Sequence, residues 1–144
     1  MIVKTLLIVD SDPDDLEMFC QAAHEIDATI NCIECADYLM AKRMIRMMVA
    51  PDLAFIEAEI QGYSGSQLMK EIRMEPRLAS LPVVMLSRTI NADSCALLKS
   101  MGAQHVFRKP PGKRGYVQII RQTLLNANVI GVYILSLLSV SVFG

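Results

Sequence analysis

"TLLIVDSDPDD", residues 5–15, decides the fold. Its first five residues form an unbroken apolar run, with none of the alternation expected of a strand that has one wet face. Such a run suits a strand covered on both sides. The next six residues change character at once. Asp12 suits a helix N-cap, Pro13 the first helical position, and Asp14 and Asp15 the electropositive end. Leu16, Phe19, Cys20, Ala23 and Ile26 then recur at helical spacing. A doubly covered strand that feeds a helix is the start of a layered α/β fold.

The same alternation continues along the chain. "ATINCIEC" reads as a second strand. Residues 38–49 form a Met-rich helix with Ala41, Met44, Ile45 and Met48 on one side, and Pro51 breaks it. "DLAFI" is a third strand, and "SGSQLMKEIRM" a third helix that ends near Pro76. "LPVVMLS" is a fourth strand, and "ADSCALLKSMG" a fourth helix with Gly102 as its C-cap. "QHVF" is a short fifth strand, and residues 114–126 a fifth helix with Val117, Ile120 and Leu124 inward. The expectation is an α/β fold of (βα)5 type, a doubly wound five-stranded parallel sheet with helices on both faces. Sites in such sheets lie beyond the carboxyl ends of the strands. Those ends carry Asp10, Ser11 and Asp12, then Glu57, then Ser87, then Lys109.

The bulk numbers narrow the function classes. A chain of 144 residues suits one domain. With 20% charged residues and a net charge of -1, it lacks the electrostatic footprint of a nucleic-acid binder. Four cysteines are too scattered for a disulfide scaffold. "CIEC", residues 32–35, invites a metal or redox reading, but residues three apart on a strand point to opposite faces. The expectation is reduced thiols in or near the core of a cytosolic protein. The N-terminus meets an acid at Asp10 and has no small-residue cleavage site, so it is not read as a signal peptide.

"LLIVDSDPDD", "PDLAFIEAEIQGYSG", "LPVVMLSRT" and "GAQHVFRKP" together resemble the receiver domain of two-component response regulators. The resemblance covers about residues 3 to 126 and divides the chain into a receiver-like domain, 1–126, and an apolar tail, 127–144. It implies a flavodoxin-like sheet of strand order 2-1-3-4-5. It also implies a site in which two acids after strand one hold magnesium and an Asp after strand three takes a phosphoryl group from a histidine kinase. A hydroxyl after strand four and a Lys after strand five then bind the phosphoryl oxygens. On this resemblance Asp10 matches the first acid, Ser87 the hydroxyl and Lys109 the lysine. Ser11 falls on the second acid and Glu57 on the phosphoacceptor.

These two departures change the expected chemistry. Ser11 removes a negative charge from a site for a cation that demands oxygen ligands in strict geometry. Mg2+ binding, through Asp10 and Glu57, is therefore expected to be weak or absent. Asp12 is expected to cap the helix rather than rescue the metal. Glu57 is one methylene longer than Asp, and a displacement of about 1 Å can cost about 100-fold in an in-line transfer. Its longer arm could set a fixed negative charge near Lys109 and Ser87, partly imitating a phosphorylated site. Arg88 is a candidate gate that pairs with Glu57 or Glu59, with a solvated loop arginine as the plain alternative. Val106 stands where many members of the family carry an aromatic switch.

The reading is a pseudo-receiver that acts by protein–protein contact and is not an enzyme. The alternative is a functional single-domain phosphorelay receiver that accepts phosphate with Mg2+. A flavodoxin-like cofactor binder is disfavoured, because the acidic loop after strand one lacks the glycines and backbone donors of a phosphate cradle. The expected partner is a histidine kinase or another signalling protein, and a homodimer is allowed. The family's usual contact surface, on helix four, strand five and helix five, is bordered by Lys99, Gln104 and His105. From Gln122 to Gly144 there is no charged residue. Residues 129–143 would span about 22 Å as a helix, short of the roughly 30 Å of a bilayer core. Packing or association is thus preferred to membrane anchoring, and the expected location is cytoplasmic unless that tail anchors.

Overall fold

A computed structural model describes residues 3–47 and 50–126. The five apolar runs become strands β1 (Thr5–Val9), β2 (Asn31–Cys35), β3 (Leu53–Glu57), β4 (Val83–Ser87) and β5 (His105–Arg108). The periodic segments between and after them become helices α1 (Pro13–Ile26), α2 (Tyr38–Met47), α3 (Gly65–Met74), α4 (Ala92–Ser100) and α5 (Lys113–Asn126). The strands pair in parallel in the order β2-β1-β3-β4-β5, the predicted arrangement.

Strand alternation builds two cores. Leu6, Ile8, Phe55, Val84 and Leu86 face one side and pack against Phe19 and Ala23 of α1 and Tyr116 and Ile120 of α5. Leu7, Val9, Ala54, Ile56 and Met85 face the other and pack against Ala41 and Ile45 of α2 and Leu68 and Ile72 of α3. A strand buried on both faces has no room for polar alternation, which explains the continuous runs. The predicted inward residues of α5, Val117, Ile120 and Leu124, are all buried.

The helix starts follow local chemistry. The Asp12 side chain accepts from the Asp14 backbone N–H at 2.9 Å, so the capping role expected of it is the one it fills. Ser64 and Gln67 form a capping box at α3, and Asn91 and Ser94 form another at α4. Gly102 has φ +114° just past α4, where a side chain would be strained. Gly65 is needed for a different reason. A Cβ there would collide with the Glu57 carbonyl oxygen and approach the Met85 methyl to 2.8 Å. Only glycine lets α3 begin so close to the end of β3.

Some expectations shift. On α1, Cys20 and Ile26 are only half-buried, while Ala22 and Asp15 are buried. Strand β2 starts at Asn31 rather than Ala28, because Thr29 donates its N–H and hydroxyl to the Asp27 carboxylate and holds a turn. Between β3 and α3 lies an unforeseen two-stranded ribbon, Glu59–Ile60 with Tyr63–Ser64, turned by Gly62 at φ +81°. Tyr63 of that ribbon stacks on Tyr38 of α2, with centroids 4.4 Å apart. Helix α4 buries none of its residues fully, and Leu97 is 61% exposed. No helix among the described residues is long and apolar enough to cross a membrane. Met48 and the tail, residues 127–144, lie outside the described residues.

Candidate functional site

Parallel register brings the ends of β1, β3, β4 and β5 to one rim. Asp10 follows β1 and Glu57 ends β3; Ser87 ends β4 and Lys109 follows β5. The ladders extend to these residues: the Asp10 N–H donates to the Cys35 carbonyl at 3.1 Å, and the Lys109 N–H to the Ser87 carbonyl at 2.8 Å. The backbone therefore fixes where each side chain starts.

Lys109 is the hub. Its side chain is only 4% exposed, and its Nζ meets three carboxylates: Asp10 at 2.9 Å, Asp15 at 2.7 Å and Glu57 at 3.0 Å. Burial alone would draw the ammonium's pKa down, but hydrogen bonds to Asp10, Asp15 and Glu57 raise it above its ordinary value. It is a permanent cation at neutral pH.

Glu57 has no idle oxygen. Its Oε1 accepts from Lys109 at 3.0 Å, and its Oε2 accepts from both the Ser11 backbone N–H at 3.0 Å and the Ser11 hydroxyl at 2.9 Å. It is 5% exposed. Burial would push this carboxyl up; the Ser11 N–H, the Lys109 ammonium and the Ser11 hydroxyl together hold it below its ordinary value. The two sequence departures are thus complementary. A lengthened acid at 57 reaches toward position 11, and a hydroxyl there donates to it where a carboxylate would repel it.

Asp10 behaves differently, because burial outweighs its partners. It is 0% exposed and accepts from Lys109 and the Asp12 N–H through Oδ1. Burial, supported by the charge of Glu57, raises its pKa to about 6, against the pull of Lys109 and the Asp12 N–H. An acid whose folded pKa lies above its unfolded value stabilises the fold at low pH and loses that contribution as pH rises. Here the window is about pH 4 to 6. The wild type is expected to lose about 2–3 kcal/mol from this group between pH 4 and pH 7, and Asp10→Asn removes that slope. Urea unfolding of both chains at the two pH values measures it.

The sequence reading missed Asp15 and Tyr116. Its place in the first turn of α1 suits the helix dipole, yet Asp15 is buried and grips Lys109. It lies one turn before buried Phe19, and that spacing was the available signal. Tyr116 of α5 is fully buried beneath the cluster. Burial and the neighbouring Asp15 raise its phenol pKa, so it remains neutral.

Other expectations are corrected. The Ser87 hydroxyl donates to the Thr89 carbonyl at 2.7 Å, within its own loop, while Ser87 lines the same cavity as Glu57, whose hydrogen-bonded cation is Lys109. Arg88 pairs with neither Glu57 nor Glu59. Its side chain is 69% exposed, and its carboxylate neighbour is Asp12 at 3.9 Å, a solvated contact of little energetic weight. Val106 is half-buried on the α2/α3 side of the sheet. Above the rim lies a cavity of about 670 Å³, lined in part by Ser11, Glu57, Glu59, Tyr63, Ser87 and Arg88.

The resemblance implies Mg2+ at this rim, and the residues do not fit it. Ser11 supplies two hydrogen-bond donors to Glu57 where the cation needs an anionic ligand. Among the described residues no group of three or more His, Cys, Asp or Glu side chains is arranged to hold a metal ion.

Residues 6–121 match the family model of the response regulator receiver domain. The chain is 27% identical over 124 residues to the phosphate regulon transcriptional regulatory protein PhoB of Pseudomonas aeruginosa, covering 86% of this chain and 53% of that protein. The chain spans about half the length of the curated relatives it matches. Among solved structures, the phosphorylated cyanobacterial phytochrome response regulator RcpA is 20% identical with a TM-score of 0.76, covering 86% of this chain and 93% of that one. The Mn2+-bound form of response regulator Rcp1 is 18% identical with a TM-score of 0.74, covering 90% and 96%. These likenesses establish the fold.

Proposed function

The chain belongs to the response regulator receiver domain family of two-component signalling, and from that premise we propose that it is a pseudo-receiver. Glu57 holds the place of the phosphoacceptor without reacting, and the domain signals by binding another protein rather than by catalysis. One observation carries this reading: both oxygens of Glu57 are held by Ser11 and Lys109, in a pocket with an internal cation. A phosphoryl acceptor needs a free carboxylate oxygen aligned with the leaving group, beside a metal that neutralises the transferring charge. RcpA is phosphorylated and Rcp1 holds Mn2+; here Ser11, a double donor to Glu57, takes the place of an anionic metal ligand.

The partner is a histidine kinase or another signalling protein in the cytoplasm, met on the face of α4, β5 and α5. The loosely seated α4, with Leu97 exposed, supports that choice. A homodimer through the same face is a further arrangement. The second reading, a working phosphorelay receiver, draws on the retained Asp10, Ser87 and Lys109 and on the open cavity above them. Incubation with acetyl phosphate and Mg2+, read by intact mass, separates the two. The pseudo-receiver gains no phosphoryl group, and the Ser11→Asp/Glu57→Asp double variant gains one. A phosphorylated wild-type chain would establish the second reading instead.

A further inference from the structure

Successive residues of an α-helix turn by about 100°. On α2 that rotation gathers Arg46, Leu39, Arg43, Met47 and Met40, in that order, into one arc of about 120°. All five are exposed, Met47 by 81%. The buried residues Tyr38, Ala41 and Ile45 take the other side and pack on the core. Beside the arc, a valley of about 280 Å³ runs between α2 and α3, lined by Lys42, Ile45, Arg46, Glu71, Met74 and Glu75. Met74, on the α3 wall, is 82% exposed. The charges here are not equivalent. Glu71 pairs with Lys42 at 3.1 Å, and Glu75 with Arg77 at 3.2 Å. Among the described residues neither Arg43 nor Arg46 has an ion-pair partner. The surface therefore offers apolar knobs beside two unpaired guanidiniums. Met and Arg are side chains that protein interfaces favour, and an exposed apolar patch rimmed by polar groups marks a contact site.

We propose that the outer arc of α2 and the α2–α3 valley form a docking surface for an amphipathic helix of a partner protein, one that carries carboxylates beside its apolar stripe. The apolar stripe seats against Leu39, Met47 and Met74, and the carboxylates meet Arg43 and Arg46. Charge decides among the occupants. A second copy of this chain, related by a twofold axis through this face, would set arginine against arginine. The apolar tail, 127–144, has no charged residue to offer them. An anionic bilayer would meet Glu71 and Glu75 on the valley walls. An acidic helix satisfies both arginines and both kinds of apolar contact. Helix α2 lies against β2, the sheet edge opposite β5. The surface is thus separate from the face of α4, β5 and α5, and one domain can hold two proteins at once.

The test does not depend on the pseudo-receiver reading. The full natural chain is titrated with synthetic amphipathic helices that share one leucine stripe and carry glutamate, glutamine or lysine on the flanking face. The glutamate peptide should bind and move the backbone amide resonances of α2 and of α3 near Met74. Glutamine in place of glutamate, or Arg43→Gln with Arg46→Gln in the protein, should weaken binding about tenfold, the effect of losing two solvent-rimmed charge pairs. Met47→Ser with Met74→Ser should weaken it as well. These four positions are exposed, and unchanged unfolding midpoints of the variants confirm that the fold is kept. No binding of the glutamate peptide, equal affinity for the glutamate and glutamine peptides, or resonance changes confined to α4, β5 and α5 would overturn the proposal. So would tighter binding to phosphatidylserine vesicles than to the glutamate peptide, or self-association of the natural chain through the α2 resonances.

Discussion

Replacing Lys109 by Met is expected to cost about 3–5 kcal/mol at neutral pH, the range for removing one partner from a buried ion pair. The methionine fills a similar volume, so the loss is electrostatic rather than a cavity effect. Asp10, Asp15 and Glu57 would remain at the rim with no cation among them. The pH dependence distinguishes this from general damage. Without Lys109, burial would push the Asp10 and Glu57 carboxyls up, and an acid raised in the folded state favours folding as pH falls. In the natural chain Glu57 is depressed, so its contribution is present at neutral pH and lost on acidification. The gap between variant and natural chain should therefore narrow from pH 7 towards pH 4. Urea unfolding across that range measures it, and a constant gap, or one below about 1 kcal/mol, would show that Lys109 does not neutralise the cluster.

Ser11→Asp should produce the second large effect. The substitution removes the hydroxyl donor to Glu57 Oε2 and puts a carboxylate in its place. Like charges about 4 Å apart at a protein surface repel by up to about 4 kcal/mol, so a loss of about 2–4 kcal/mol is expected at neutral pH without divalent cations. The same change restores an anionic ligand. Mg2+ should then rescue the variant, since a ligand at about 100 times its Kd adds about 2.7 kcal/mol of stability. The natural chain, in which Ser11 and Lys109 already satisfy Glu57, should show no comparable gain. Equal stabilisation of both by Mg2+ in thermal unfolding would contradict the account.

Much of this architecture was readable from residue patterns. Continuous apolar runs such as Leu6–Val9 and Val83–Leu86 carried the doubly covered strands, and Asp12-Pro13 and Ser64 carried helix starts. The convergence of Asp10, Glu57 and Lys109 followed from strand ends alone, because a parallel sheet puts all its carboxyl ends on one edge. What escaped the reading depended on side-chain geometry. Asp15 sits in an acid-rich first turn, where a dipole role explains any carboxylate, and only its rotational position beside Phe19 tells it apart from Asp14. Position alone makes Ser11 a lost metal ligand; that its hydroxyl and N–H both point at Glu57 is a matter of direction, which position does not carry. Ser87 and Arg88 line the cavity, as their positions imply, but the bond of the Ser87 hydroxyl within its own loop and the solvated place of Arg88 beside Asp12 are not written in the sequence.

The central claim is that Glu57 is a saturated carboxylate, fixed by Ser11 and Lys109. Carbon-detected NMR titration of the Glu57 side chain, with and without Mg2+, tests this most directly. The account predicts a carboxyl that titrates below the ordinary glutamate range and whose resonance does not move when Mg2+ is added. A carboxyl that titrates at or above that range, or whose resonance shifts on addition of Mg2+, would contradict it.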